Sequence, residues 1–118
     1  MPVPLREEIR AADGGAEGRA ACCSLYHRAV ELVGKRWTGA MLSVLLDGPL
    51  RFSEIKTLVP DLSDRLLSER LKELESEQIV ERRVHDEPPV RVEYALTDKG
   101  RALEPAVRAL QDWAQHWL

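Results

Sequence analysis

Four polar residues recur at helical spacing after Ser63, and their side chains could hydrogen-bond to a nucleic acid. Arg65, Ser68, Glu69 and Lys72 stand at i, i+3, i+4 and i+7, so one face of an α-helix carries all four. Arginine can donate two hydrogen bonds to O6 and N7 of guanine, and serine can bind a base or a phosphate. Free N–H groups at the start of a helix also favour phosphate. The alternative is a solvated face on which Arg65 and Glu69 form an ordinary i, i+4 ion pair.

A stripe of leucines on the opposite side of the same segment predicts the helix that carries this face. Leu67, Leu71 and Leu74 stand at i, i+4 and i+7, the spacing of a buried helical stripe. Ser63 is the predicted N-cap, because its side-chain oxygen can accept a free N–H group of the first turn. We expect this helix to run from residue 64 to about residue 78.

Helical periodicity also predicts three helices before this one and one after it. The three preceding helices span residues 24–33, residue 38 to the Gly48-Pro49 pair, and residues 52–59. Gly34 and Pro60 end the first and third of them, because glycine accepts positive φ and proline cannot continue the backbone ladder. Thr97 is expected to cap the last helix, which Pro105 should kink or break.

A change of period from 3.6 to two predicts a β-hairpin between the last two helices. Residues 90–96 alternate in the manner of a half-buried strand, and residues 80–84 are expected to form its partner strand. The connecting loop contains Pro88 and Pro89, which suit an exposed turn where no strand donor is needed.

Cations on and near this hairpin could contact the DNA backbone. Arg83 and Arg91 could reach the sugar-phosphate chain or the minor groove. Asp86 and Glu87 stand near the tip and would repel phosphate, so we expect the contact to rest mainly on Arg91. Arg51, just before the third helix, is a further candidate for a backbone contact, with simple solvation as its alternative.

The order of elements predicts an α+β, mainly helical fold: a winged helix-turn-helix with a two-stranded β-hairpin wing. The alternative is a generic α+β domain with the same order. The first 21 residues contain prolines, glycines and charges of both signs without a sustained period. We therefore expect residues 1–21 to form a flexible N-terminal arm, with at most one helical turn near residues 5–10, and residues 22–118 to form the DNA-binding domain.

Four stretches in collinear order resemble the HxlR-type winged-helix transcriptional regulators, which share the MarR-like architecture. They are residues 29–38 (AVELVGKRWT), 47–55 (DGPLRFSEI), 62–75 (LSDRLLSERLKELE) and 88–100 (PPVRVEYALTDKG). The resemblance runs from about Cys23 to Trp113, which is most of the chain. It implies a homodimer that reads a two-fold operator in double-stranded DNA, with dimerisation helices at the N- and C-terminal ends of the domain.

Two tryptophans on the last helix favour the same assembly. Trp113 and Trp117 are too large to leave in water on so small a domain, and apolar residues of the first helix could join them. The alternative is that both rings cover the core of the monomer. The expected interface residues are Leu25, Tyr26, Val33, Leu110, Trp113 and Trp117.

Two adjacent cysteines could respond to an oxidant or an electrophile. A thiolate near cationic groups reacts faster, and Arg19 and Arg28 are close in sequence to Cys22 and Cys23. The resemblance implies sensing by a cysteine at this place. The alternative is an unreactive thiol packed at the dimer seam.

Composition and motif content exclude several classes of function. Lys+Arg 17 against Asp+Glu 20 gives a net charge of −3, so DNA binding cannot come from bulk positive charge. We find no apolar run of about 20 residues and no secretory signal, and we expect a cytoplasmic protein without membrane contact. No zinc spacing, Walker motif or nucleophile-base motif is present. We therefore expect no metal, no cofactor and no enzymatic activity.

The function predicted from the sequence is sequence-specific regulation of transcription by a homodimer, as a repressor rather than an activator. An oxidant or small-molecule effector is expected to change its operator binding. The alternative is a winged-helix protein-interaction module without DNA binding, which the negative net charge keeps open.

Overall fold

The computed structural model of the protein describes residues 15–118. Six helices and three strands lie in this part of the chain. They are α1 Ser24–Val33, α2 Thr38–Leu45, β1 Leu50–Arg51, α3 Phe52–Leu58, α4 Asp64–Ser76, β2 Val80–His85, β3 Arg91–Leu96, α5 Asp98–Arg101 and α6 Glu104–Trp117. Residues 1–14 of the predicted arm, with its helical turn near residues 5–10, lie outside the described residues, and the domain boundary at residue 22 stays a prediction.

Residues 33–118 form one compact unit, and α1 up to Leu32 belongs to another. The larger unit holds the hydrophobic core, whose members come from α2, α3, α4, the connections that follow α3 and α4, and the ends of the sheet. Its fully buried large side chains are Met41, Leu42, Leu45, Ile55, Leu62, Leu67, Leu74 and Ile79. The predicted stripe of α4 is buried as expected. On the apolar stripe that the sequence places on α3, Ile55 is buried, whereas Leu58, the last residue of this helix, is more than half exposed.

The helix-turn-helix consists of α3, a short turn and α4. The Ser63 hydroxyl accepts a hydrogen bond from the Leu66 N–H group at 3.1 Å, which confirms the predicted N-cap. The Lys56 ammonium of α3 donates to the Leu62 carbonyl of the turn and lies 3.3 Å from the Asp64 carboxylate. The start of α4 is therefore bound to α3 by a charged side chain as well as by the buried leucines.

The wing contains one strand more than the hairpin predicted from the sequence. The sheet has the order β1-β3-β2, and both pairs are antiparallel. The alternation predicted for β3 is wrong in its details, because Ala95 is buried and Val90 is exposed. The hairpin leaves the core at its tip, so an apolar residue there has nothing to pack against, whereas both faces are covered at its base.

The junction between α4 and the C-terminal helices is held by α5. The helix α4 ends at Ser76, two residues earlier than expected, and Gln78 adopts a left-handed conformation with φ 60°. The Thr97 hydroxyl donates to the Gln78 carbonyl at 2.5 Å and accepts from the Gly100 N–H group at 3.1 Å. A Cβ on Gly100 would lie 2.2 Å from the Ile79 carbonyl oxygen, so this close approach requires glycine.

The C-terminal segment is two helices rather than one. The helical structure is interrupted between α5 and α6, and Pro105 lies in the first turn of α6. A residue there has no intrahelical acceptor for its N–H group, so the missing N–H of proline costs no hydrogen bond. The predicted effect of Pro105 is therefore confirmed. Within residues 15–118, every helix is too short or too polar to cross a lipid bilayer.

Candidate nucleic-acid interface

The predicted polar face of α4 lies at the surface. The Arg65 side chain is 91% exposed, and Glu69 and Lys72 are exposed as well, whereas Ser68 is half-buried. The leucine stripe on the opposite side fixes this orientation. The structure thus brings the four residues together on the accessible side of the second helix of a helix-turn-helix, the element that enters the major groove in such motifs.

Arg65 and Glu69 form the ion pair that the solvated alternative expects. Arg65 Nε lies 3.3 Å from Glu69 Oε1. A guanidinium group has five N–H donors, so the pair leaves donors for a second acceptor. The ion pair therefore does not exclude a base contact.

Ser63 has a structural role that limits its role toward DNA. Its oxygen accepts the Leu66 N–H group, which leaves the hydroxyl proton available to donate. A phosphate oxygen at the start of α4 is an acceptor that would suit this free proton.

The strand β1 brings the other predicted cations onto one face of the sheet. Arg51 is in register with Glu93, and Glu93 is in register with Arg83. Residues in register point to the same side of a sheet. Arg91 is in register with His85 and shares this face two residues from Glu93. We call Arg51, Arg83 and Arg91 the sheet-face arginines.

The sheet-face arginines differ in the partners they already hold. Arg83 pairs with Glu81 at 2.6 Å, and Arg51 pairs with Glu54 at 3.3 Å. Glu54 accepts the Arg51 N–H group at 2.8 Å; this bond and the Arg51 side chain lower the pKa of its carboxyl group. Arg91 is exposed and forms no ion pair with any residue from 15 to 118. Of the three, Arg91 can bind a phosphate without breaking an ion pair with any residue from 15 to 118.

The sequence interpretation missed Arg82 as a candidate. Arg82 is exposed, and it pairs in register with Tyr94 on the opposite face from Arg83. Arg82 forms no ion pair within the described part of the chain. The period of two in the sequence could have shown that Arg82 lies on the other face of the sheet from Arg83, since neighbouring residues of a strand point to opposite sides.

The adjacent cysteines precede the first turn of α1. Both Cys22 and Cys23 are exposed free thiols. The backbone N–H groups of Tyr26 and Leu25 lower the pKa of the Cys23 thiol, because their positive ends stabilise the thiolate. Cys23 is therefore the thiol with an identified cause for enhanced reactivity.

The predicted interface residues form exposed apolar surface rather than core. Trp113 is 52% exposed and Trp117 is 69% exposed, so neither ring is buried within the monomer. No residue of α1 is buried, and Val33 at its end is half-buried. An open apolar groove of about 360 Å³ lies beside α6. Its main apolar lining residues are Val33, Leu42, Leu103, Val107, Leu110 and Ala114.

Comparison with known proteins decides the family. The HxlR-like helix-turn-helix family matches residues 32–118. The chain belongs to the HxlR-like helix-turn-helix family. It is 50% identical over 96 residues to YvaP of Bacillus subtilis, an HTH-type transcriptional regulator; the match covers 81% of this chain and 89% of YvaP.

A second relative of the HxlR-like family is YodB of Bacillus subtilis, an HTH-type transcriptional regulator. It is 48% identical over 95 residues, which cover 80% of this chain and 85% of YodB. The reduced form of YodB superimposes with a TM-score of 0.75, covering 82% of this chain and 95% of the YodB chain. YodB has also been solved in diamide-treated and quinone-bound forms.

The wider architecture agrees with a MarR-family regulator from Porphyromonas gingivalis. That structure matches at 22% identity with a TM-score of 0.78 and covers 85% of this chain and 100% of its own, a likeness of fold alone. The predicted winged helix-turn-helix is therefore confirmed. So is the predicted class of function, a DNA-binding transcriptional regulator rather than an enzyme.

Proposed function

We propose that this regulator binds a two-fold duplex operator as a homodimer and acts as a repressor. The observation that carries the proposal is the exposed face of α4, on which Arg65, Glu69 and Lys72 stand opposite the buried leucine stripe. A helix of this kind fits the major groove with its N-terminal residues toward the base edges.

The residues of α4 divide into base readers and phosphate binders. Arg65, in the first turn, donates two hydrogen bonds to guanine O6 and N7, and Glu69 accepts from a cytosine amino group. Ser68 and Lys72 donate to a base or a phosphate. Ser63 donates its hydroxyl proton to a phosphate at the helix start, where the free N–H groups also favour an anion.

The sheet-face arginines bind the DNA backbone in this proposal. Their common face supports a contact with one stretch of phosphates, and Arg91 contributes most because its side chain has no acidic partner among residues 15–118. Such contacts fix the register of the protein on the duplex but carry no sequence information.

The dimer forms through the exposed apolar residues of α1 and α6. Their exposure supports burial against a second copy, because each Å² of apolar surface that leaves water contributes about 25 cal/mol to association. A dimer with two-fold symmetry presents two reading helices about 34 Å apart, which is one duplex turn. The proposed interface residues are Leu25, Tyr26, Val33, Leu110, Trp113 and Trp117.

The effector of the proposed regulator is an electrophile or an oxidant that reacts with Cys23. Addition of the Cys23 thiolate to a quinone forms a carbon–sulfur bond, takes up one proton and leaves a hydroquinone thioether. The quinone-bound form of the relative YodB supports this chemical class. Cys22 is the second thiol available for modification. The effector changes operator affinity only if it favours one arrangement of the dimer over another.

The test is selection of bound DNA from a random duplex pool with the purified chain. The proposal expects retained duplexes to share a motif with two-fold symmetry whose half-sites are centred one helical turn apart. Retention of a random population, or of none, contradicts the proposal and favours the protein-interaction alternative.

A further inference from the structure

Arg70 is the least exposed cation of α4, and its partners lie on a different segment of the chain. Its side chain is 16% exposed and lies roughly 140° around the helix from Arg65. Arg70 Nε donates to the Arg36 carbonyl at 3.1 Å. Its Nη1 group donates to both carboxylate oxygens of Glu73, at 3.1 and 3.3 Å. This largely covered guanidinium group thus uses two of its nitrogens on two different acceptors, the Arg36 carbonyl and the Glu73 carboxylate, and its planar shape fixes the angle between them.

Glu73 extends this contact to the next residue of the same segment. Its carboxylate lies 3.3 Å from the Lys35 ammonium. Two residues of α4 therefore hold two consecutive residues of the connection between α1 and α2, residues 34–37, which we call the linker.

The linker has a conformation that needs such support. Trp37 adopts φ 75° and ψ −13°, in the left-handed region, which is unfavourable for a bulky side chain and persists where the surroundings fix it. The Arg36 guanidinium lies 5.3 Å from the centre of the Trp37 ring, within the range of a cation–π contact.

The buried leucine stripe determines which face of α4 is turned outward, and two polar contacts hold the helix at separate points along its length. Lys56 binds its start through Leu62 and Asp64. Arg70 and Glu73 bind its middle and later part through the linker. The residues proposed to contact bases, from Arg65 to Lys72, lie between or beside these points.

We propose that Arg70 and Glu73 are positioning residues, which clamp α4 to the linker and set the angle at which Arg65 and Lys72 meet the base edges. This inference rests on the proposed function. Direct readout requires donors within roughly 0.5 Å and 10–20° of their places, whereas phosphate contacts tolerate more movement. Loss of the clamp therefore reduces sequence discrimination more than general DNA affinity.

The test compares Arg70→Met with the parent on the selected operator and on a scrambled duplex, well below the unfolding temperature of each protein. We expect a loss of about ten-fold in operator affinity, about 1.4 kcal/mol, and a change of less than about two-fold on the scrambled duplex. The dependence of log K on log salt should stay the same, because the same phosphates are bound.

Arg108→Met is the matched control. Arg108 likewise has a partner three residues on, Gln111, and it also contacts Glu104 and, at 4.0 Å, Asp47. It lies on α6, and none of these partners belongs to the linker. It should change neither affinity. Arg70→Lys should not restore discrimination, since one ammonium nitrogen cannot occupy both donor positions, Nε at the Arg36 carbonyl and Nη1 at Glu73.

Glu73→Gln provides an independent variant if Arg70→Met does not fold, and it should lower the same ratio of affinities. Equal loss of both affinities, or an unchanged ratio in a folded variant, overturns the inference and leaves the proposed function standing. A parent protein that does not distinguish the two duplexes overturns both.

Discussion

The Arg65–Glu69 ion pair raises the question of which interaction dominates when DNA is present. An exposed i, i+4 pair contributes about 0.3–0.5 kcal/mol, whereas a bidentate arginine–guanine contact discriminates by about 1–3 kcal/mol. The pair is therefore inexpensive to give up. These energies favour the exchange of the Arg65–Glu69 ion pair for an Arg65–base contact when DNA is bound.

Replacement of Arg65 tests this exchange. We expect Arg65→Ala to weaken binding to the preferred duplex by roughly 5- to 150-fold and to relax preference at one base-pair position. Unfolding free energy should change by less than about 0.5 kcal/mol, because the side chain is exposed. Fluorescence anisotropy against a panel of single-base variants measures both effects on binding, and urea unfolding measures the stability.

Arg91→Ala is the comparison for that measurement. It should weaken all duplexes alike, because a phosphate contact carries no base preference. If both variants bind the panel as the parent does, the assignment of α4 to the major groove is wrong.

The position of Cys23 before α1 predicts that its thiol reacts at a lower pH than an ordinary cysteine does. Hydrogen bonds from the Tyr26 and Leu25 N–H groups stabilise the thiolate and lower its pKa, so the reactive fraction at neutral pH rises. In a Cys22→Ser variant, the rate of alkylation by iodoacetamide should rise with pH through a midpoint below that of an unstructured cysteine peptide in the same buffers. A midpoint equal to or above that of the peptide contradicts this assignment.

At the scale of elements, the features predicted correctly depend on local chemistry. The leucine spacing of α4, the cap at Ser63 and the break at Pro105 each involve residues within a few positions of one another. The strand β1 was missed because it has only two residues, and its pairing partners Tyr94 and Glu93 lie more than forty positions away. The clamp of Arg70 on Arg36 was missed for the same reason.

The close contact at Gly100 predicts a large effect of a single methyl group. A Cβ would overlap the Ile79 carbonyl oxygen at 2.2 Å. Because this oxygen belongs to the backbone, it cannot move aside as the end of a flexible side chain could. We expect Gly100→Ala to lower the free energy of unfolding by more than about 2 kcal/mol, by strain of the kind found in overpacked cores. Urea unfolding followed by circular dichroism measures the change.

Gly39→Ala is the matched glycine replacement. Gly39 lies in α2, and a Cβ added to it would meet no other atom of residues 15–118 within 4 Å, apart from its own helix and chain neighbours. Alanine there should raise stability by about 0.5–1 kcal/mol, because it favours the helix. A Gly100→Ala protein as stable as the parent contradicts the role assigned to the junction.

At the scale of the whole molecule, the exposed apolar surface predicts self-association. Trp113→Glu introduces a charge into the proposed interface, and we expect sedimentation to show a dimer for the parent and a monomer for the variant at the same concentration. Trp113 also has about half of its surface covered within the monomer, so circular dichroism must show that the variant is folded. Gln115→Glu adds the same charge to an exposed residue of α6 and should leave the dimer intact. A Trp113→Glu protein that stays dimeric excludes α6 from the interface.

The helix-turn-helix and the wing could be predicted from hydrophobic period and turn residues, and the class of function from them together with the four stretches that resemble the HxlR family. The operator could not, because it depends on how Arg65, Glu69 and Lys72 meet particular bases. The shared face of the sheet arginines could not be predicted either, since it requires the register of all three strands.

The most direct measurement is the salt dependence of duplex binding by the unmodified chain. The central claim is that a protein of net charge −3 binds a polyanion through a few cations concentrated on α4 and on one face of the sheet. With roughly six to ten phosphates contacted, log K should fall with log salt at a slope of about −5 to −9. A slope near zero, or no binding at low salt, would contradict the account.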